Sequence, residues 1–406
     1  MLIRERYLER LRPFYEAPGL VKVITGMRRC GKSVLLGQIA DELRRSVPER
    51  RTIFLDFELA DHLGIRGPED LDAYVADRID PAADGLHYVF LDEVQLVPGF
   101  EIGVNSLRAR GDTSVFITGS NAHVLSGELA THLAGRYVQV RVWPFSFAES
   151  LELRGAPPQA DGDQAALADY LEWGGLPQRF AFAGDGEARA YLRDVYDSVV
   201  LRDIVQRSGL RDVAALETIV EFAVENLGRS LSPASLTRYF KSRGRGISTE
   251  TIYSHLRAMT GSLLFNRVRR FDVRGKAVMD TVDKYCATDL GILASKRVGA
   301  GPGPGDVVLN AVFVELAARG FEVYTGKTAR GEVDLVAVKD GEPRYIQVAY
   351  LLATPEAVAR EFGAFAPIKD NYPRFVISMD PLTKNRDGIV HLGLSEFLLH
   401  PPPALA

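Results

Sequence analysis

The sequence predicts an α/β protein whose amino-terminal domain is built on a parallel β-sheet and is followed by further domains. Three observations predict this class. Short apolar, β-branched runs alternate with stretches of helical periodicity over residues 20–143. Three of those runs end in glycine, in two acids or in small polar residues, as strands do at the ligand-binding edge of a parallel sheet. A chain of 406 residues is also too long for one ordinary core.

Composition narrows the class of protein. Hydrophobic residues make up 46% of the chain, as in globular proteins, and no run of about 20 apolar residues predicts a transmembrane helix. The amino terminus is charged from residue 4 and lacks the apolar core of a signal peptide. Two cysteines, Cys30 and Cys286, make neither a disulfide framework nor a zinc site. We expect a cytoplasmic protein without a membrane partner.

The first element is a strand, a glycine loop and a helix. The run 20–26, LVKVITG, is a buried strand, and the helix GKSVLLGQIADELRRS follows it. Between them the pattern Gly26-x4-Gly31-Lys32-Ser33 matches a phosphate-binding loop, or P-loop, at every required position. Lys32 is expected to reach the β- and γ-phosphates of ATP, and the Ser33 hydroxyl to ligate Mg²⁺. The predicted nucleotide-binding residues are Gly26, Met27, Arg28, Arg29, Cys30, Gly31, Lys32, Ser33 and Val34.

An acid pair follows a later strand. The run HYVFLDEVQ (87–95) ends in Asp92 and Glu93, about sixty residues after the P-loop. A carboxylate at a strand end beside the P-loop serine suits the Mg²⁺ shell, which we assign to Asp92 together with Ser33. Glu93 suits the base that polarises the attacking water. Glu93 and Lys32 are therefore predicted catalytic residues.

The remaining strands of the sheet carry two further candidates. TSVFITGSNAHVL (113–125) ends in small polar residues, of which Asn121 is the first candidate and Ser120 the second for contact with the γ-phosphate or the water. A capping turn is the alternative for this Ser-Asn pair. Strands 51–58 and 137–143 complete five candidate parallel strands. Arg136 precedes the last strand and could stabilise transition-state charge in its own site or across a subunit interface, or it could be a salt-bridged loop residue.

Several motifs together resemble a known family. TGMRRCGKS, LDEVQ, TGSNA, LAGR and WPFSFAE, with GGLP (174–177), YDSVVLRDIVQR (196–207) and KYCATDLGI (284–292), are similar to bacterial and archaeal AAA+ ATPases that share an uncharacterised C-terminal region. The resemblance covers nearly the whole chain. It implies a P-loop AAA+ ATPase core with a parallel sheet. AAA+ proteins usually complete the site with an arginine from the next subunit, so the resemblance also implies an oligomeric ring.

The sequence after the core divides at two loops. RGAPPQADGDQAA (154–166) and GAGPGPGD (299–306) have the composition of a boundary and of a linker. We predict an ATPase core over residues 1–150 and a helical lid or linker over 151–210. A winged helix-turn-helix is predicted over 211–298, and a restriction-endonuclease-like α/β domain over 307–406.

The winged-helix prediction depends on three helical runs followed by two strand-like pieces. From Arg238 to Lys276 the sequence has ten Lys or Arg and two acids, although the whole chain carries a net charge of −4. The third helix, STETIYSHLRAMTGS, would present polar residues including His255 in part to a groove, and the wing would face phosphates. The predicted DNA-binding residues are Arg243, Arg245, Thr251, Arg257, Arg269, Arg270, Arg274 and Lys276. A winged helix used for protein packing, or a solvated basic face, is the alternative.

The last segment is similar to the restriction-endonuclease-like fold. That resemblance implies a metal site made by an acid and a later Glu/Gln-x-Lys triplet, with Glu315, Glu332, Asp334 and Gln347 at the relevant positions. The triplet Gln347-Val348-Ala349 lacks the lysine, and glutamine offers only a neutral carbonyl oxygen. We expect a fold without nuclease activity that keeps a DNA-binding surface. Residual cleavage through Glu315 and Asp334, and a purely structural use of the domain, are the alternatives.

Three functions fit these predictions. The first is Mg²⁺-dependent ATP hydrolysis coupled to binding or remodelling of DNA, by analogy branched DNA such as Holliday junctions, in an oligomeric ring. The second is an ATP-controlled switch that scaffolds protein partners in defence or signalling, without DNA. The third is an ATP-driven nuclease. DNA-stimulated hydrolysis with a steep salt dependence separates the first from the second.

Overall fold

The computed structural model describes the chain from residue 2 to 406 except 81–83, 122–127, 134, 156–163, 183, 207–208, 211, 296–300 and 382. The chain forms two compact units. The first contains residues 1–142 and 261–263, and the second contains 143–260 and 264–406. The end of the predicted strand run 113–125 and most of the loop 154–166 lie outside the described residues.

The first unit is a five-stranded sheet with helices on both faces. Its strands are β1 (Val21–Gly26), β2 (Thr52–Asp56), β3 (His87–Asp92), β4 (Thr113–Gly119) and β5 (Tyr137–Val142). Its helices are α1 (Glu5–Leu11), α2 (Lys32–Arg44), α3 (Pro68–Ala76), α4 (Phe100–Ala109) and α5 (Glu128–Leu133). The strand order is β2-β3-β4-β1-β5 and every pairing is parallel. The prediction of an α/β fold with a five-stranded parallel sheet is confirmed.

The central strands are apolar because both of their faces are covered. Every residue of β1, β3 and β4 is buried. Val23, Leu91 and Ile117 face a cluster with side chains of α3 and α4. Ile24, Phe90 and Phe116 face a second cluster with α1 and α2. The register pairs Thr25 with Gly119 and Leu91 with Ile117, so that β1, β3 and β4 end at one edge of the sheet.

The second unit contains ten helices of the α type among its described residues. These are α6 (Phe147–Leu153), α7 (Gln164–Trp173), α8 (Asp185–Ser198), α9 (Val213–Glu225), α10 (Pro233–Ser242), α11 (Thr249–Gly261), α12 (Leu290–Ser295), α13 (Pro304–Ala318), α14 (Pro355–Gly363) and α15 (Leu394–Leu399). A π-helical segment, Val199–Gln206, continues α8. The last residue of α11, Gly261, belongs to the first unit.

One eight-stranded sheet runs through the second unit. Its strands are β6 (Ser230–Leu231), β7 (Phe265–Asp272), β8 (Ala277–Ala287), β9 (Glu322–Thr328), β10 (Gly331–Lys339), β11 (Glu342–Val348), β12 (Arg374–Ser378) and β13 (Val390–Gly393). The order is β13-β12-β11-β10-β9-β7-β8-β6. Strands β7 and β8 form an antiparallel hairpin, and β7 also pairs in parallel with β9. The three predicted carboxyl-terminal segments therefore lie in one compact unit, and the four-domain division stays a prediction.

The motifs GGLP and KYCATDLGI meet inside this unit. The carboxylate of Asp289 accepts hydrogen bonds from the backbone N–H of Gly175 at 2.7 Å and of Ile292 at 3.2 Å. A Cβ on Gly175 would lie 2.0 Å from the Phe145 carbonyl oxygen, and one on Gly291 would lie 1.9 Å from that of Trp173. These glycines permit close backbone approach, so this pair of motifs has a packing role.

Candidate nucleotide-binding site

The P-loop connects the end of β1 to the start of α2. Gly31 has φ +99°, a left-handed conformation that glycine adopts without strain, and Arg29 has φ +67°. These turns bring the chain into α2, whose first residue is Lys32. Backbone N–H groups at a helix amino terminus favour phosphate binding through their orientation and the helix dipole. The loop therefore has the backbone geometry that a phosphate cradle requires.

Buried side chains hold the P-loop against β5. A Cβ on Gly26 would lie 2.5 Å from the Val142 carbonyl oxygen and 2.7 Å from Cys30 Sγ, so only glycine fits there. The Cys30 thiol donates to the same Val142 oxygen at 3.4 Å. Burial raises the pKa of Cys30 and keeps the thiol protonated. Met27 is also fully buried, so the side chains of Met27 and Cys30 support the loop from below.

Lys32 lies at the centre of the site. Its side chain is 4% exposed, and its Nζ lies 3.5 Å from Glu93 Oε1. The same ammonium donates to the Met27 carbonyl oxygen at 3.3 Å. A buried ammonium needs such partners, because an unpaired charge at this depth is costly. The predicted pair Lys32 and Glu93 is thus brought together.

Thr118 on β4 organises the acid pair at the end of β3. Its hydroxyl donates to Asp92 Oδ1 and accepts a hydrogen bond from the backbone N–H of Glu93 at 2.8 Å. Glu93 itself has a left-handed backbone, with φ +51°. Such a conformation is uncommon outside glycine and is held by surrounding contacts. Gln95 completes the arrangement by donating its side-chain amide to Glu93 Oε2.

The two acids have opposite pKa shifts. Burial raises the pKa of Asp92, although hydrogen bonds from the hydroxyls of Thr118 and Ser33 oppose that rise. For Glu93, burial also favours the neutral form, but the charge of Lys32 and the hydrogen bond from Gln95 outweigh it and lower the pKa. Glu93 is therefore ionised near neutral pH. This is the state that a base acting on water requires.

Ser33 and Asp92 fit a Mg²⁺ ion. The Ser33 hydroxyl hydrogen-bonds the Asp92 carboxylate, so that two oxygen ligands lie together beside the P-loop. Mg²⁺ commonly uses one or two carboxylates together with substrate phosphates and water. Within the described residues no group of three or more His, Cys, Asp or Glu is arranged to hold a metal. The donor set at Ser33 and Asp92 thus suits an ion that arrives with ATP.

The remaining predicted residues of the loop and the strand tip differ in exposure. Arg28 contacts Glu58 at 3.6 Å, and Arg29 is exposed. Val34 is 43% exposed, which leaves its surface open beside the loop. Asn121 is 4% exposed and Ser120 is fully buried, just beyond the end of β4. Both lie at the same edge of the sheet as the P-loop.

Arg136 lies at the opposite edge of the sheet. Its backbone carbonyl accepts from Val21 N at 3.0 Å, and Tyr137 pairs with Val21 at the start of β1. The P-loop begins at Gly26, five residues further along β1, which is roughly 16 Å at about 3.3 Å per residue. That distance exceeds the reach of an arginine side chain. The suggestion that Arg136 acts in its own chain's site is therefore not supported, and its side chain is exposed.

The predicted DNA-binding residues fall into two groups. Four of them already have ion-pair partners in the chain. Arg243 contacts Glu221, Arg245 contacts Asp212, Arg270 contacts Glu332, and Lys276 contacts Asp370. Arg257, Arg269 and Arg274 are exposed, with Arg269 lying 5.9 Å from the centre of the Tyr324 ring. Thr251 on α11 is partly exposed, and its backbone N–H donates a hydrogen bond to the Ser248 hydroxyl oxygen.

His255 does not face a groove. It is 2% exposed, and its ring nitrogens lie 2.7 Å from the Thr251 carbonyl and 3.2 Å from the Asp212 carbonyl. Its place is on the packed side of α11, four residues after Thr251. The expectation that it is presented to a ligand was wrong, because helical spacing puts it among the buried residues Ile252, Leu256 and Met259.

Of the residues suggested for a nuclease metal site, Asp334 and Gln347 lie together on neighbouring strands, whereas Glu315 is paired elsewhere. Glu315 forms a buried ion pair with Arg319 at 2.9 Å. Gln347 accepts at its amide oxygen from the backbone N–H of Asp334 at 3.2 Å. Asp334 accepts from Val348 N at 2.9 Å, and burial raises the pKa of Asp334 to about 6. The pairing of Glu315 with Arg319 makes residual cleavage through Glu315 and Asp334 physically unfavourable.

The sequence interpretation missed Thr118 and Gln95. Thr118 stands two residues before Ser120 in the strand TSVFITG, and Gln95 follows the acid pair by two residues. A polar residue in an otherwise apolar buried strand is the signal that could have identified Thr118. Gln95 carries no comparable signal, since its contact depends on the turn after β3.

Among the residues that the structure describes, no helix is both long enough and apolar enough to cross a membrane.

A P-loop, an acid pair at the end of β3 and a parallel sheet of order β2-β3-β4-β1-β5 define an ATPase of the AAA+ type. Residues 19–151 match a family described as an AAA domain, and residues 164–299 match one described as a domain of unknown function. The chain belongs to the same family as an uncharacterized protein of Haemophilus influenzae, which is 34% identical over 379 residues and 93% of each chain. An uncharacterized protein of Methanocaldococcus jannaschii is 25% identical over 91% of this chain and 83% of its own length.

Two solved structures match this chain at low identity. The Walker-type ATPase of Pyrococcus abyssi is 16% identical over 73% of this chain and 96% of its own, with a TM-score of 0.45. The Aeropyrum pernix Orc1 protein, solved in complex with DNA, is 14% identical over 73% of this chain and 93% of its own, with a TM-score of 0.32.

Proposed function

We propose that this AAA+ ATPase hydrolyses ATP with Mg²⁺ and couples hydrolysis to the binding or remodelling of DNA. The proposal of ATP hydrolysis depends on one observation, which is that Lys32, Glu93 and Asp92 lie together at one edge of the sheet. In this arrangement Lys32 moves from Glu93 to the phosphates when ATP binds. Glu93 is then released from Lys32 but still accepts the hydrogen bond from Gln95, and in this position it orients the attacking water.

Asp92 and Ser33 are proposed to hold the metal. When bound, Mg²⁺ would neutralise the charge that develops on the phosphate oxygens. The protein's part is to place the two oxygen ligands before ATP arrives, and Thr118 does this by fixing the Asp92 carboxylate. Asn121 and Ser120 are the candidates for contact with the γ-phosphate or the water. The backbone of Gly26–Ser33 and the side chain of Val34 surround the nucleotide.

The DNA-binding part of the proposal depends on α9–α11 and the β7–β8 hairpin. Three helices followed by a hairpin, with β6 added to β8, have the element order of a winged helix. Arg257 on α11, Arg269 on β7 and Arg274 in the hairpin turn are exposed cations on this segment. Phosphate contacts by such residues supply affinity without sequence preference. Branched DNA is proposed as the substrate by analogy with the nuclease-like fold of residues 307–406.

An oligomeric ring is proposed because Arg136 lies away from the P-loop of its own chain. An exposed arginine before β5 is free to approach the nucleotide of a neighbouring subunit, where it would stabilise transition-state charge.

One observation favours the second function, a nucleotide switch that scaffolds protein partners. Four of the seven predicted DNA-binding cations are paired with carboxylates of the same chain. Their charge is largely neutralised locally, which weakens attraction to a polyanion. In this function, ATP would set the conformation and DNA would leave hydrolysis unchanged.

The experiment is steady-state ATP hydrolysis without DNA and with single strand, duplex and a four-way junction, each at two salt concentrations. We expect stimulation by DNA that falls with salt, most strongly for the junction. A variant with Arg257, Arg269 and Arg274 changed to alanine should lose the stimulation and keep basal hydrolysis. Its matched control changes three exposed arginines elsewhere, Arg10, Arg45 and Arg330, to alanine. If ATP still binds but none of the DNA substrates changes the rate of hydrolysis, the DNA proposal is overturned. That result would favour the nucleotide switch that scaffolds protein partners.

A further inference from the structure

A second polar pocket lies within the carboxyl-terminal unit. It has a volume of about 550 Å³, which is within the usual range for small-ligand sites. Strands β8, β10 and β11 and helices α13 and α14 contribute to its walls. Its charged lining includes Arg229, Lys284, Glu332, Asp334, Arg360 and Glu361. A pocket with this density of both charges suits a charged ligand better than an apolar one.

Most of the lining charges are paired at the rim. Arg229 contacts Asp306 at 2.7 Å, and Arg229 is 59% exposed. Arg360 contacts Glu361 at 2.7 Å; the arginine side chain is 74% exposed, whereas that of Glu361 is 7% exposed. The arginine heads are therefore held near solvent, and the Glu361 carboxyl is enclosed.

Asp334, Glu361 and Lys284 form the inner part of the pocket. One oxygen of Asp334 accepts from Val348 N at 2.9 Å, and the other oxygen has no hydrogen-bond donor among the residues that the structure describes. Lys284 and Glu361 line the same pocket as Asp334, and their charges act in opposite directions on the pKa of Asp334. The side chain of Lys284 is 10% exposed and lies 3.3 Å from Glu332, which Arg270 also contacts. Because Glu332 has two cations, the charge of Lys284 is only partly neutralised.

We propose that Asp334 and Glu361 hold a divalent cation in this pocket and that the cation, together with Lys284, binds a phosphate group. Carboxylate oxygens are the ligands that Mg²⁺ and Mn²⁺ prefer in proteins, and Mg²⁺ sites often consist of one or two carboxylates completed by substrate phosphates. The positive charge of the ion would balance the negative charges of the two carboxylates. Without it, these carboxylates repel each other in a region with little access to solvent. The ammonium of Lys284 then faces a phosphate oxygen as a point charge.

This site keeps Asp334 from the residues that the sequence suggested and replaces the others. Glu315 is paired with Arg319, and Gln347 has its amide oxygen on the backbone of Asp334. The carboxylate of Glu361 on α14 and the ammonium of Lys284 on β8 supply the negative and the positive charge that the triplet Gln347-Val348-Ala349 lacks. The proposal does not depend on DNA coupling, since a free phosphate and a nucleic-acid phosphodiester offer the same group.

The test measures Mn²⁺ binding to the full chain by electron paramagnetic resonance, without nucleotide. The Asp92→Ala variant is the parent protein, because it removes the P-loop metal ligand. In that parent we expect one bound Mn²⁺ per chain. Asp334→Asn and Glu361→Gln should each weaken it by about tenfold or more. The control is Asp306→Asn, which removes a carboxylate charge at the rim of the same pocket and should leave binding nearly unchanged.

Two further arms identify the source of the phosphate. Inorganic phosphate and a short DNA duplex are added separately, and tighter Mn²⁺ binding with either one supports the phosphate part; the Lys284→Gln variant should abolish that gain. Tightening by free phosphate alone identifies a small ligand, and tightening by the duplex alone identifies a nucleic-acid phosphodiester. Absence of Mn²⁺ binding in the parent, or equal binding by the Asp334→Asn and Asp306→Asn variants, would overturn the cation site. No gain from either addition would overturn the phosphate part.

Discussion

The ammonium of Lys32 lies 3.5 Å from the carboxylate of Glu93. The P-loop lysine is thus paired with the residue assigned to the attacking water. Phosphates of ATP compete for this lysine, so that binding of the nucleotide and release of the base are coupled through one contact. The pair also explains why Glu93 stays ionised although it is buried.

Thr118 is predicted to be a positioning residue for hydrolysis. Changing Thr118 to valine removes both the donor to Asp92 and the acceptor for Glu93 N while keeping the side-chain shape. We expect hydrolysis to fall by about 10- to 100-fold, as for other residues that orient a metal ligand. Thr118→Ser keeps the hydroxyl and should retain most activity. Equal rates for the valine and serine variants in a steady-state assay would show that the hydroxyl has no such role.

Gly26 and Gly37 form a matched pair for testing the P-loop backbone. Gly26→Ala would place a Cβ 2.5 Å from the Val142 oxygen, and we expect a loss of about 1–3 kcal/mol in the free energy of unfolding, together with weaker ATP binding. Gly37 lies within α2 with nothing within 4 Å of an added Cβ. Gly37→Ala should therefore stabilise the protein by about 0.5–1 kcal/mol. Urea unfolding measures both, and a Gly26→Ala variant as stable as the wild type would contradict the packing argument.

Lys22 predicts a pH dependence of stability. Its Nζ is buried in β1 and donates to Ser114 Oγ at 2.7 Å and to the carbonyl oxygens of Ala17 and Leu20, both at 2.9 Å. Burial lowers the pKa of Lys22 from 10.5 to about 7. Between these values the unfolded chain binds more protons than the folded chain, so the free energy of unfolding should increase as the pH rises from about 7 to 10.5.

The check is the Lys22→Met variant, which has an unbranched side chain one atom shorter than that of lysine and cannot titrate. Over this pH window the wild type should gain stability relative to the variant, by on the order of 1 kcal/mol per pH unit. Parallel pH profiles for the two proteins would mean that Lys22 titrates alike in the folded and unfolded chains.

Arg136 is predicted to act on the nucleotide of a neighbouring subunit. Arg136→Ala should reduce hydrolysis by roughly 1000-fold, as expected for loss of an arginine that stabilises phosphoryl transfer. Mixing this variant with Glu93→Gln should restore part of the activity, because some interfaces then join an intact Glu93 to an intact Arg136. If the mixture is no more active than the two inactive proteins alone, the proposed role across subunits fails.

The parts of the fold that could be predicted are those that depend on residues close together in the sequence. The P-loop is one continuous stretch, and Asp92 and Glu93 directly follow an apolar run, so their position at a strand end could be inferred. The five parallel strands followed from similar runs. The placement of Arg136 was open to the same reasoning, because a residue before a parallel strand lies at the edge opposite the P-loop.

The rest depends on contacts between residues far apart in the chain. Lys284 on β8, Asp334 on β10 and Glu361 on α14 line one pocket only because β7 pairs with β9 and joins the hairpin to the larger sheet. No local pattern encodes that pairing. The ion-pair partner of Glu315 and the hydrogen-bond partners of His255 could not be predicted from the sequence either. Helical spacing shows that a residue is buried but does not show what it contacts.

The most direct measurement is steady-state ATP hydrolysis by the wild type, Glu93→Gln and Glu49→Gln, with ATP binding measured in parallel. Glu49 is an exposed carboxylate outside the site and controls for the change in charge. Glu93→Gln should still bind ATP, but its rate of hydrolysis should be at least about 100-fold lower than that of the wild type. Glu49→Gln should match the wild type in both binding and hydrolysis. Wild-type rates in the Glu93→Gln variant would contradict the assignment of Glu93 as the base and, with it, this account of the site.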